Sequence, residues 1–216
     1  MKILKGLLWV AIIGLSYMVY KSVVGPVEFN KVKEERYIKT ITNLKDIRNS
    51  QLAYRTVTGK FANTFDELVR FIDTAHFTIT QRRDSSIVDK EMTKRYGVTT
   101  YKDLLVIDTI GTVPVKDSLF KSSTRYKTMM NIPIEGVNAK FEMKADLITQ
   151  NNIKIPVFEV KVAKDILLFD QDKNLLVQEN QVVSVDGVNG THLKVGSLTE
   201  VNTNGNWPKI FGSNDE

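Results

Sequence analysis

MKILKGLLWVAIIGLSYMVYKSVVGP, residues 1–26, decides how the rest of the chain is read. Lys2 and Lys5 precede a run from Gly6 to Tyr20 that carries no charge, and Gly25-Pro26 closes the segment. The uncharged run is 15 residues long; Ser22, Val23 and Val24 extend it to 19 with one interruption at Lys21. A bilayer core takes about 20 helical residues, so the stretch spans a membrane when Lys21, near its end, snorkels to the interface. A cleaved signal peptide ends at a small-x-small site. Here the run ends in Ser16-Tyr17-Met18-Val19-Tyr20-Lys21, without an Ala-x-Ala pattern. A retained anchor is the favoured reading, with Leu7, Leu8, Trp9, Val10, Ile12, Ile13 and Leu15 facing lipid.

Orientation follows from the two leading lysines. The positive-inside tendency keeps that short end cytoplasmic and exports the remaining chain of about 190 residues. The expected placement is therefore a single pass through an inner membrane with the globular domain periplasmic. The chain has no cysteine, which rules out an acylated-cysteine lipoprotein anchor and any thiol chemistry.

Composition over the whole chain is globular, 42% apolar and 25% charged. The net charge of +5 and pI near 9.2 raise nucleic acid or anionic lipid as partners. Yet the basic residues are spread among 25 acids, and the dense patches, Lys31 to Lys39 and Gln81-Arg82-Arg83, read as solvated faces. Nucleic acid is not the expected partner; binding through Arg82, Arg83, Lys90, Lys94 and Arg95 would weaken steeply with salt.

From Val27 to about Thr56 there is neither Gly nor Pro. Apolar residues recur at Tyr37, Ile38, Ile41, Leu44, Ile47, Leu52 and Tyr54, the spacing of one helix face. Such a helix would carry the chain roughly 45 Å outward. Its first turns, Glu28 to Arg36, are polar enough to predict a solvated stalk. Thr58-Gly59-Lys60 breaks the helix, and Thr64-Phe65-Asp66-Glu67 has the capping-box pattern, predicting a short helix from Phe65 to about Asp73. Ser86 to Tyr96 predicts another helix ending at Gly97. Thr100 to Asp103 reads as the cap of a further helical turn, and Thr109 to Val115 as extended.

The period then changes. Ala139 to Ile148 and Ile153 to Ala163 alternate about a turn at Thr149-Gln150-Asn151-Asn152, predicting an antiparallel pair. Leu175 to Val185 is expected to continue as strand, Asp186-Gly187 and Asn189-Gly190 as turns, and Leu193 to Val201 as a last strand. Trp207-Pro208 is expected to tuck the C-terminus onto the sheet. The predicted fold class is α+β: an N-terminal transmembrane helix continuing into a long amphipathic helix, then short helices and a C-terminal antiparallel β-sheet. The segments are 1–26 leader and anchor, 27–75 stalk helix and short helix, 76–126 mixed connector, and 127–216 β domain.

Catalytic and metal-ligating patterns are missing. His76 and His192 are isolated, no Gly-x-Ser-x-Gly elbow occurs, and Asp170-Gln171-Asp172-Lys173-Asn174 lacks the glycine and distant Glu of a calcium loop. That acidic group reads as a polar turn between strands. No catalytic residue, cofactor site or metal site is assigned, and no enzyme is expected.

The first third of the chain resembles a type IV pilin or type II secretion pseudopilin. The residues that carry the resemblance are the basic leader, Gly6 before an apolar run, Pro26 near its end, and the outward amphipathic helix. Asp46 to Arg55 followed by Gly59-Lys60-Phe61-Ala62-Asn63-Thr64-Phe65-Asp66-Glu67-Leu68 adds the end of the pseudopilin helix and its following turn. The resemblance covers roughly residues 6 to 72. It implies a long helix packed on an antiparallel sheet, and leader cleavage between Gly6 and Leu7. The family has an aromatic after that glycine and an acid four residues beyond it, where this chain has Leu7 and Ala11. The matching expectation is an uncleaved pseudopilin-like scaffold.

Two functions of different class follow. The first is a non-enzymatic, membrane-anchored structural component of a secretion, pilus or motility apparatus. It would contact lipid through its anchor, and other assembly proteins or a second copy through Ile38, Ile41, Leu44, Ile47, Leu52 and Tyr54, unless its own sheet covers them. The alternative is a membrane-anchored periplasmic ligand-binding or sensory domain, which needs a deep pocket with convergent polar groups.

Overall fold

The computed structural model describes the backbone of residues 2–211 and the side chains of residues 5–211; the outer ends of the leader and of the β domain lie outside the described residues. The chain is α+β, with a long N-terminal helix, short helices and antiparallel sheets. It divides into two compact units, one holding the chain up to Leu68 and from Thr124 onward, the other Val69–Ser123.

The first unit is built on α1, Lys2–Thr58, one helix that passes through Pro26. Pro26 lacks an N–H, so one helical hydrogen bond is lost where the apolar run ends. α1 stops at Gly59, whose φ of +79° suits glycine and whose N–H closes on Arg55 O at 2.8 Å. The three-stranded antiparallel sheet has the order β3 (Glu142–Gln150), β4 (Ile153–Ala163), β5 (His192–Gly196). Asn151 and Asn152 both take positive φ, 51° and 62°, making the two-residue hairpin turn that suits the strand twist. Central β4 supplies the core with Val157, Phe158, Val160 and Val162, and Phe158 meets Phe61 at a ring separation of 4.6 Å. Two short helices, α5 (Lys164–Leu167) and α6 (Lys173–Asn180), fill the β4–β5 connection, and α1 packs on β5 and α5. Trp207 is buried, as expected, and Gly205 bridges to Val195 on the sheet edge.

The second unit carries α2 (Phe65–Thr74) from Val69 onward, then a long ribbon of β1 (His76–Val88) and β2 (Tyr101–Pro114). α3 (Lys90–Tyr96) sits in the ribbon's connection, and α4 (Val115–Phe120) packs at the base of β2. Asp89 caps α3 by accepting from the N–H groups of Glu91 and Met92, and Gly97 ends it in the left-handed region.

Five expectations need correction. The helix over Ser86 to Tyr96 shrinks to α3, because Ser86, Ile87 and Val88 pair with Asp103, Lys102 and Tyr101. Thr100 to Asp103 caps no helical turn; it leads into β2. Leu175 to Val185 is not a strand: Asp172 accepts from the N–H groups of Asn174 and Leu175 and starts α6, so apolar Leu175, Leu176 and Val177 are read out on a helix. The same capping makes Asp170 to Asn174 a link between helices and not between strands. The last strand is also shorter than Leu193 to Val201, since Gly196 turns the chain at φ +77°.

Candidate functional site

Along α1 one stripe runs Phe29, Lys33, Arg36, Tyr37, Thr40, Ile41, Leu44, Ile47, Arg48, Gln51 and Tyr54, in which each residue has a neighbour three or four positions away. The structure buries or half-buries every member. The predicted solvated stalk is therefore not one: Phe29 is buried, and Lys33 and Arg36 reach into the head. These charged groups escape the cost of burial because each meets a partner.

Arg36 spreads its guanidinium over Asp170, Nη1 to Oδ1 at 2.6 Å and Nη2 to Oδ2 at 2.8 Å, while Nη1 also donates to the carbonyl of Leu167 at 2.8 Å. A planar fork on a carboxylate fixes direction as well as distance. The bonds from Arg36 raise its own pKa and hold the Asp170 carboxyl far below the usual range, Arg36 first and Gln171 next. One turn back, Lys33 Nζ meets Glu179 Oε2 at 2.9 Å, and Tyr37 Oη donates to Glu179 Oε1 at 3.1 Å. Burial and the neighbouring carboxylate push the Tyr37 phenol up, keeping it a donor.

Lys164 completes the cluster. Its side chain is fully buried, yet Nζ donates to Glu179 O at 2.7 Å, Val188 O at 2.7 Å and Glu179 Oε1 at 3.2 Å. Three donors thus meet three acceptors. Burial pulls its pKa down and Glu179 opposes the shift. A lysine so fully bonded is a fastener between α5, α6 and the turn at Val188, not a free nucleophile.

Further along, Asp46 takes the Nε and Nη2 of Arg125 at 2.6 and 3.1 Å. Gln51 pins the turn after α1, donating to Ala62 O and accepting from Ala62 N, both at 2.9 Å. Tyr54 donates to Glu67, whose other oxygen accepts from Asn63 N at 3.2 Å. Thr64 caps the next helix through Glu67 N–H at 3.3 Å, while Glu67 reaches back to Asn63 and not to Thr64. These bonds tie the end of α1 to the turn that follows it, as far as Glu67.

A cleft of about 510 Å³ lies between Lys21, Gly25, Pro26 and Phe29 of α1 and Asp172 and Leu175 beside it. The head thus begins where the apolar run ends. α1 continues about 45 Å past Pro26, the length expected, and the head packs alongside it.

Leu7, Leu8, Trp9, Val10, Ile12, Ile13 and Leu15, the residues expected to face lipid, are all exposed on α1, in an apolar window of which none is covered. Gly6 and Leu7, the cleavage candidates, lie inside the same helix. Ile41, Leu44, Ile47 and Tyr54 are buried and Leu52 is half-buried, so the head itself takes up this face; Ile38 is exposed at 49%. Arg82 and Arg83 are consecutive strand residues on opposite faces of the ribbon, and Arg83 pairs with Asp108 at 3.0 Å. Among the described residues no three His, Cys, Asp or Glu are grouped to hold a metal ion.

Lys33, Arg36, Arg125, Lys164 and Glu179 were not singled out by sequence reasoning, which took Asp46 only as part of the pseudopilin resemblance and Asp170 only as part of a polar turn. The available signal was helical phase: Lys33 and Arg36 fall on the stripe that Phe29 and Tyr37 begin. Comparison with protein-family models, curated proteins and solved structures finds no match for the chain.

Proposed function

We propose that the protein is a non-enzymatic, single-pass, inner-membrane component of a cell-envelope assembly of secretion, pilus or motility type. It is built in the manner of a pseudopilin, with a cytoplasmic N-terminus and a periplasmic head. The observation that carries this reading is that α1 passes without interruption from a bare apolar stretch into the charged clamp of the head. At about 1.5 Å per residue, an 18-residue apolar window covers about 27 Å, close to a hydrocarbon core. The clamp would transmit position: a head fixed by Arg36–Asp170 and Lys33–Glu179 cannot swivel freely on its anchor. Support for a scaffold over an enzyme comes from the clamp's chemistry, in which the strongest ion pairs join structural elements to one another.

Fractionation tests the anchor. The full chain should stay in the membrane pellet after an alkaline carbonate wash, and Ile13→Asp, which places a charge near the middle of the span at about 3 kcal/mol, should release it. Wild-type chain in the wash supernatant would overturn the proposal.

A further inference from the structure

The ribbon is uneven in a way that its own unit does not explain. β1 is polar from Thr80 to Ser86, whereas its partner carries the unbroken run Leu104-Leu105-Val106-Ile107. A strand apolar on both faces belongs in the middle of a sheet. Here the sheet has two strands only, so β2 is an edge, with Leu105 and Ile107 exposed at 53% and 55%. A two-stranded ribbon is at best marginal alone, and an apolar edge invites a further strand.

The ladder shows which backbone groups are free to pair. At one end Asp89 N–H bonds Thr100 O at 2.8 Å, and at the other Val115 N–H bonds Ala75 O at 3.0 Å. With hydrogen-bonded pairs alternating, Lys102, Leu104, Val106 and Asp108 turn their backbone groups toward β1. Tyr101, Asp103, Leu105, Ile107 and Thr109 turn theirs to the open edge.

We propose that this edge pairs with the same edge of a second copy, antiparallel about Leu105, giving a four-stranded sheet with the polar β1 strands outermost. A two-fold axis through Leu105 sets that residue opposite its own copy, Leu104 opposite Val106, and Lys102 opposite Asp108. Shifting the centre to Leu104 or Val106 would place Lys102 opposite Val106 or Ile110. The register about Leu105 is thus the one among these three that brings opposite charges together, and cross-strand charge pairs set register. In it Lys102 joins an Asp108 already held by Arg83 at 3.0 Å. The self-pairing is independent of membrane anchoring.

The test uses the full chain in detergent. Because the chain has no cysteine, single substitutions report proximity cleanly. Leu105→Cys should give a disulfide-linked dimer under mild oxidation, while Val183→Cys, fully exposed elsewhere at 92%, stays monomeric. Lys102→Asp alone and Asp108→Lys alone should each lose the dimer by light scattering, since each opposes like charges. Mixing the two variants should restore it as a heterodimer, a result misfolded variants would not give. Leu105→Cys crosslinking no faster than Val183→Cys, or a mixture that stays monomeric while Leu105→Cys also fails to crosslink, would overturn the self-pairing and leave the edge to a strand from another protein. Leu105→Cys dimers with no rescue on mixing would overturn the register.

Discussion

Arg36 and Asp170, 134 residues apart in sequence, close a two-bond fork at 2.6 and 2.8 Å, and the same guanidinium satisfies the buried carbonyl of Leu167. Arg36→Lys keeps the charge but cannot form the fork or reach both partners. A loss on the order of 1–3 kcal/mol is expected, read as a lower urea midpoint with an unchanged slope for the full chain in detergent. An unchanged midpoint would remove the fork from the account of how α1 is held.

Acid should loosen this fork and a second carboxylate contact further along α1. Asp170 and Glu67 are both held below their ordinary values of 3.8 and 4.5, by bonds from Arg36 and from Tyr54 respectively. The folded chain therefore binds these protons less tightly than the unfolded chain. The stability involved is present above those ordinary values and is lost as pH falls through the depressed ones. At the alkaline end, burial and Glu67 push the Tyr54 phenol from 10.0 up to about 12. Its contribution is present below pH 10 and lost as pH rises through about 12. Tyr54→Phe should flatten the alkaline limb of a melting-temperature profile, and Arg36→Ala the acid limb.

Lys164 gives the largest expected effect. Lys164→Ala removes an ammonium from between two backbone carbonyls and a carboxylate, all inside the head. Breaking a buried pair costs about 3–5 kcal/mol. Lys164→Met combined with Glu179→Gln should cost less than the sum of the two single changes, because the two groups share one network. Strict additivity in denaturation would show that they act independently.

Gly196 tests the sheet. Its φ is +77°, and a Cβ there would lie 2.2 Å from the carbonyl oxygen of Phe158 on β4. Gly196→Ala meets both backbone strain and a clash with backbone that cannot rotate away. A loss above about 1 kcal/mol is expected from the conformation alone. A neutral result would mean that β5 departs from β4 differently.

What was legible in the chain is what depends on near neighbours. The apolar run before Pro26, the cap at Thr64, the turn at Asn151-Asn152 and the alternation of Ile153 to Ala163 are all written within a few residues. One strand was missed and one helix misread for a physical reason. β1 is a polar strand, so Thr80 to Ser86 offers no apolar alternation, and its pairing is dictated by β2 opposite. Leu175 to Val177 is too short a run for periodicity to separate strand from helix, and Asp172, the residue that decides it, acts through a cap. The clamp was least legible, because Lys33, Arg36 and Tyr37 find partners more than 130 residues away. Charges on a helix face look alike in sequence whether water or a distant carboxylate receives them.

The central claim, an anchored head exported across the membrane, is tested most directly by labelling single cysteines with a membrane-impermeant maleimide in cells whose outer barrier has been opened. Val183→Cys, on the surface of the head, should label in such cells, and Lys2→Cys should label only after the inner membrane is broken. Labelling of Lys2→Cys in unbroken cells with Val183→Cys protected would contradict it.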